Sequence, residues 1–313
     1  MDSNIHTDPE QNSAQTENIQ EQENVSQPYT EPCGRKSQKH MYPTGFDLLV
    51  IVGILAFSAL AVGFLSTVAM LFWTDKMSEH SGLLTAATYF AMMGTAIVLT
   101  LLHRSKRNTQ PLKLFRSGRI NSPLILSGII LIFISGIVIE PVINMFPDKY
   151  MDMLNDTIGT NGWSILMTVI MAPVMEETLF RGIIQSSVSQ RYGAITGIVL
   201  SSLIFGAFHI IPQQAVNAFV VGLILGYIYY RSGSLSTVIF IHAANNAIAM
   251  LTLQLLGPNA DVSLQHLITN PVLYWITYGF AVILFGMCVV STLRKLKQQP
   301  DQSPDCTPDE LHN

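Results

Sequence analysis

Charge is what this chain has least of. Of its 313 residues only 12% are Asp, Glu, Lys or Arg, against 49% apolar. A soluble globular domain usually carries about 25% charged residues, so an ordinary soluble enzyme is excluded. The net charge of −4 misleads as a global figure, because the segment from Asp2 to Glu31 is acidic; no nucleic-acid partner is expected. Cysteine is nearly missing as well. Cys33, Cys288 and Cys306 are far apart, with no CxxC and no Cys/His cluster, which argues against a thiolate zinc site or a disulfide framework. No repeat of about 20–50 residues is evident, and no connector is large enough for a soluble domain. No apolar stretch follows Met1, so a cleavable signal is not expected and the first apolar span must direct membrane insertion.

What remains is a series of long apolar runs, at about 47–73, 83–102, 122–145, 163–189, 194–211, 214–230, 235–256 and 272–293. A hydrocarbon core is roughly 30 Å thick and needs about 20 apolar residues in a helix to cross it. The expected fold is therefore all-α, a polytopic transmembrane helix bundle of about eight spans occupying residues 46–297. Residues 1–45 and 298–313 are polar tails with little apolar surface to bury and are expected to be disordered. Basic residues cluster at Arg35, Lys36 and Lys39, at Arg104 to Arg119, at Arg191, at Arg231 and at Arg294 to Lys297. With eight spans all these clusters fall on one side, so a multi-pass protein of the cell membrane with both termini cytoplasmic is expected.

Ionisable side chains at bilayer depth cost about 2.5–3.5 kcal/mol each on insertion scales and are functional suspects. Asp47 lies at a span edge, and Glu140 sits beside Pro141 near the end of the third span; both read as interfacial or structural. The fourth span differs, because Glu176, Glu177 and Arg181 fall near its middle. Glu177 and Arg181 are four apart with the acid first, the favourable order for a helical ion pair. Glu176 is then about 100° around the helix, free to face a cavity as a general base. The same three residues also fit a structural cluster locking two helices. His209 closes the run Phe205 to His209, and His242 and Asn246 are four apart in the seventh span. Each of these pairs shares one helical face. Together the set offers a base, a water orienter and donors for a developing oxyanion, which is what peptide hydrolysis requires.

The segments Glu176-Glu177-Thr178-Leu179-Phe180-Arg181, Phe205-Gly206-Ala207-Phe208-His209 and His242-Ala243-Ala244-Asn245-Asn246 resemble the EExxxR, FxxxH and HxxxN motifs of the CPBP family. That family comprises the type II CAAX prenyl endopeptidases and the bacteriocin-processing and immunity (Abi) proteins. The resemblance covers about residues 160–255. It implies an intramembrane endopeptidase acting on a membrane-associated peptide or protein. Carried over, Glu176 and His209 activate the attacking water and His242 and Asn246 stabilise the oxyanion. Glu177, Arg181 and Phe205 support the site. The resemblance leaves the metal open: none, with Glu176 as base, or a zinc held by Glu176, His209 and His242. The metal-free version is preferred because no HExxH pair presets ligands. For the same reason a site-2-type metalloprotease is not expected, and no aspartate sits well inside a span to make a presenilin-like pair. Gly162-Trp163-Ser164 is read as incidental rather than as a rhomboid-type serine site.

Two other classes fit some of these features. A non-catalytic immunity factor or scaffold would use the same cavity to bind a peptide or membrane protein. A proton-coupled carrier would also place Glu and His at the midplane, but no inverted repeat supports it. Heights are a difficulty for any shared site. At 1.5 Å per residue, His242 lies about 10 Å from the cytoplasmic side, whereas Glu176 and His209 lie roughly 20 Å deep. Helix tilt, or a break near Pro173, is expected to bring them together around a cavity open toward the cytoplasm.

Overall fold

The computed structural model describes residues 42–72, 81–107, 122–147, 161–257 and 263–297. The two tails expected to be disordered, and the most basic connector, fall largely outside these. Among the described residues eight helices follow one another: α1 (Gly45–Phe72), α2 (Ser81–Ser105), α3 (Ser122–Ile143), α4 (Gly162–Tyr192), α5 (Ala194–Ala207), α6 (Pro212–Ser232), α7 (Leu235–Leu256) and α8 (Pro271–Lys297). A single helical turn, Leu264–Leu267, precedes α8. No strand occurs among the described residues. The protein is a polytopic helical membrane protein, as its composition requires.

Seven of these helices are long and apolar enough to cross a membrane, and α5 is not. This corrects the expected fifth span, 194–211. Its 14 residues rise roughly 21 Å, short of a 30 Å core. The cause lies in the sequence that follows. The ring of Pro212 disfavours helical geometry at Ile211, which adopts φ −78°, ψ 121°. The last turn therefore closes at Phe208 and His209, whose amides bond to Ile204 and Gly206. The alternation of directions survives the shortening. Arg181 Nη2 reaches the carbonyl of Gly222 (3.4 Å) and Gln185 Nε2 that of Gly226 (2.7 Å). Both steps advance four residues, so α4 and α6 run parallel and α5 must return between them.

Large apolar side chains point outward: Leu60, Phe64, Phe133, Ile195, Trp275 and Ile283 are all exposed. Inside, apolar clusters such as Leu179, Ile183 and Phe205 are joined by close contacts at small and polar residues, as is common between helices in lipid. Gly197 of α5 lies against Ser189 of α4, Gly222 of α6 against Ser202, and Gly226 against Gln185. A Cβ on Gly197 would fall 2.9 Å from the Ser189 backbone nitrogen, which cannot yield without moving α4. Gly197→Ala should therefore lower stability by about 1–3 kcal/mol, the usual range for overpacking. A thermal unfolding midpoint in detergent equal to that of the wild type would contradict this.

The helix α4 is continuous but irregular. Two π-helical stretches, Met167–Met171 and Thr178–Gln185, alternate with α-helical turns. Pro173 follows the first, where the Ala172 amide reaches back five residues to Met167. Proline has no amide hydrogen and its ring collides with the carbonyl four residues earlier; a wider turn relieves this. The break expected near Pro173 is thus a widening. In the second stretch both the amide and the hydroxyl of Ser186 bond to the Arg181 carbonyl. Two other buried acids have structural partners. Glu140 accepts from the amides of Leu264 and Gln265 at 2.8 and 2.9 Å, capping the short turn before α8. Asp47 accepts from the Thr44 amide at 2.8 Å and pairs with Arg107 and His103 at the end of α2.

Candidate active site

The site is built on the middle of α4. Glu177 and Arg181 are buried, with 0% and 1% of their side chains exposed, and pair at 2.9 Å. The guanidinium also reaches the Gly222 carbonyl and lies 4.7 Å above the Phe205 ring, a cation–π contact. The pair expected from the spacing is present, and it has a further member. The same Glu177 oxygen that takes Arg181 lies 2.7 Å from His242 Nδ1. A carboxylate can only accept, so Nδ1 carries the hydrogen and Nε2 is turned to the other side. Glu177 therefore orients a histidine as well as balancing an arginine. No linear spacing reveals that contact, which joins residues 65 positions apart.

Glu176 is left outside the ion pair, as its position around the helix predicts. One of its oxygens, Oε2, lies 3.7 Å from His242 Nε2, and 12% of its side chain is exposed. The other, Oε1, accepts from the hydroxyl of Tyr89 on α2. Tyr89 was not a candidate from the sequence. A tyrosine in an apolar span is a weak signal, because its ring packs equally well with no polar purpose.

His209 lies just past the end of α5, in the connector before α6, rather than within a span. Its Nδ1 is 2.9 Å from the Phe205 carbonyl. That oxygen accepts, so His209 too carries its hydrogen on Nδ1 and leaves Nε2 as an acceptor. The Phe205 ring stands edge-on to both histidines, with centroids 5.0 Å from His209 and 6.0 Å from His242. His209 thus joins the group through Phe205. Asn246 donates one amide hydrogen to the Thr168 carbonyl at 2.9 Å, inside the first π-helical stretch. Its carbonyl oxygen accepts from Asn245 at 3.3 Å. An amide has two hydrogens, so one more remains for a ligand.

The contacts also account for the heights. His242 meets Glu177 and Asn246 meets Thr168, so α7 runs antiparallel along the first half of α4. With upright helices the two would miss by about 10 Å; α7 is therefore tilted or displaced relative to α4. Phe205 near the end of α5 lies against Arg181 of α4 and edge-on to both histidine rings, which brings the end of α5 to the middle of α4. Among the described residues no group of three or more His, Cys, Asp or Glu is placed to hold a metal ion.

A bundle of apolar helices with a Glu–Arg–His cluster inside defines a multi-pass membrane protein with a built polar site. Residues 159–248 match the family model described as type II CAAX prenyl endopeptidase Rce1-like, so this segment is similar to the CAAX-protease family. The matched segment runs from the start of α4 into α7. No curated protein and no solved structure matches the chain.

Proposed function

We propose that this protein is an intramembrane endopeptidase that cleaves a peptide bond in a membrane-associated protein or peptide by attack of an activated water. The observation that carries this reading is the division of labour between adjacent glutamates. Glu177 is consumed by Arg181 and His242, whereas Glu176 keeps an oxygen directed at His242 Nε2 on a side chain that is not sealed off. In this scheme Glu176 takes a proton from water and the hydroxide attacks the carbonyl carbon. The proton then passes to the leaving amine as the C–N bond breaks. His209, with Nε2 as acceptor, orients the water. Asn246 offers its remaining N–H to the oxyanion. His242 donates from Nε2 only as an imidazolium, because its other nitrogen is engaged by Glu177; its oxyanion role thus requires that second proton.

The reading keeps both termini on the cytoplasmic side; the one-sided clustering of basic residues in the connectors supports it, and the return made by α5 is compatible with it. The test of the reading is direct cleavage of membrane-associated test peptides by the purified full-length protein. His209→Ala should lower the rate by about 10²-fold or more, the usual contribution of a group assisting proton transfer, with little change in unfolding temperature. Undiminished cleavage by this variant would remove His209 from the mechanism.

A further inference from the structure

The site has a contributor from a part of the chain that the family match does not reach. Tyr89 lies on α2, well before the matched segment that starts at residue 159. The packing of α2 fixes its position. Met93, one helical turn on, is buried in the same core as Leu179 and Ile183 of α4, and the Tyr89 ring packs against that core. Further along, the Met175 methyl approaches Gly94, 3.8 Å from where a Cβ there would stand, an ordinary contact distance. The residue before Glu176 is thus seated on α2, and the phenol is carried to Glu176 Oε1.

The contact divides the work of the carboxylate. With Oε1 held by a phenol, rotation about the end of the side chain is restrained and Oε2 is left on the His242 side at 3.7 Å from Nε2. A glutamate without that restraint would present either oxygen in many orientations, and catalysis is sensitive to misplacements of about 1 Å. We propose that Tyr89 is a positioning residue for the reaction, holding Glu176 so that its second oxygen faces His242 and the attacking water. The proposal rests on the hydrolytic reading above.

Tyr89→Phe is a clean test, since the ring that packs in the core is kept and only the hydroxyl is lost. Full-length wild type, Tyr89→Phe and Glu176→Gln are purified and compared on one membrane-associated test peptide. For Tyr89→Phe, kcat should fall about tenfold or more while KM stays within about twofold, the pattern of a lost orienting contact. Infrared difference spectra supply a readout independent of turnover. The carboxylate stretching band that disappears in Glu176→Gln should shift in Tyr89→Phe, because its hydrogen-bond donor is gone. A wild-type kcat, a loss confined to KM, or an unmoved band overturns the role of Tyr89. Wild-type cleavage by Glu176→Gln overturns the hydrolytic reading and this role with it. An inactive Glu176→Gln beside an unaffected Tyr89→Phe overturns the role alone.

Discussion

Glu176→Gln should abolish measurable cleavage while leaving the helix bundle folded. The amide keeps the size and shape of the carboxyl and can still accept from Tyr89, but it cannot take a proton from water. A positioned general base contributes about 10²–10⁴-fold, and a loss in that range at unchanged thermal stability is the expected result. The same variant separates an enzyme from a binding protein that uses the same residues. For a scaffold or immunity factor the phenotype depends on shape and polarity, and Glu176→Gln preserves both. A phenotype retained in cells beside wild-type cleavage in vitro would sink the catalytic assignment of Glu176.

Arg181→Ala should act on stability rather than on chemistry, and the effect should be among the largest available. Arg181 heads the fully buried side chains in volume, so its removal opens a void between α4 and α6. It also leaves Glu177 buried with His242 as its remaining partner among the described residues. Removing one partner from a buried ion pair costs about 3–5 kcal/mol, because the other charge stays behind uncompensated. Unfolding in detergent should shift accordingly, and Arg181→Lys should rescue poorly, since an ammonium cannot reach Glu177, Gly222 and the Phe205 face with one planar group. A double variant, Glu177→Gln with Arg181→Met, should be less damaging than Arg181→Ala alone, because no unpaired charge remains. Equal stability of Arg181→Ala and wild type would mean that the pair contributes nothing net.

The apolar runs located every long helix, because length and hydropathy are properties of contiguous sequence. The ion pair of Glu177 and Arg181 was legible for a similar reason, its spacing matching one turn. The length of α5 was not, although Pro212 marked its limit: Ile210 and Ile211 continue the apolar run past the helix end. The π-helical stretches were hidden because the apolar pattern around Met167–Met171 does not register one residue more per turn. Pro173 gave the place of the irregularity but not its form. The contacts of Glu177 with His242, of Asn246 with Thr168 and of Glu176 with Tyr89 are long-range in sequence. Each depends on how α2, α7 and α4 cross, which no local pattern specifies. His209 was recognised through its motif, yet its position outside any helix required the structure.

The intrahelical pairing of Glu177 with Arg181 bears on how the protein is made. During synthesis α4 reaches the membrane before α6 and α7 exist, and so before the Gly222 carbonyl and the His242 ring can meet its charges. Two isolated charges near the centre of a span would each weigh against its insertion by about 2.5–3.5 kcal/mol. A partner four residues away travels with the helix and is present from the first moment. The nascent helix can therefore enter lipid with its charges already matched and exchange that provisional state for the full set of contacts as later helices arrive. Moving the arginine to another helix would keep the final charge balance and deprive α4 of its escort.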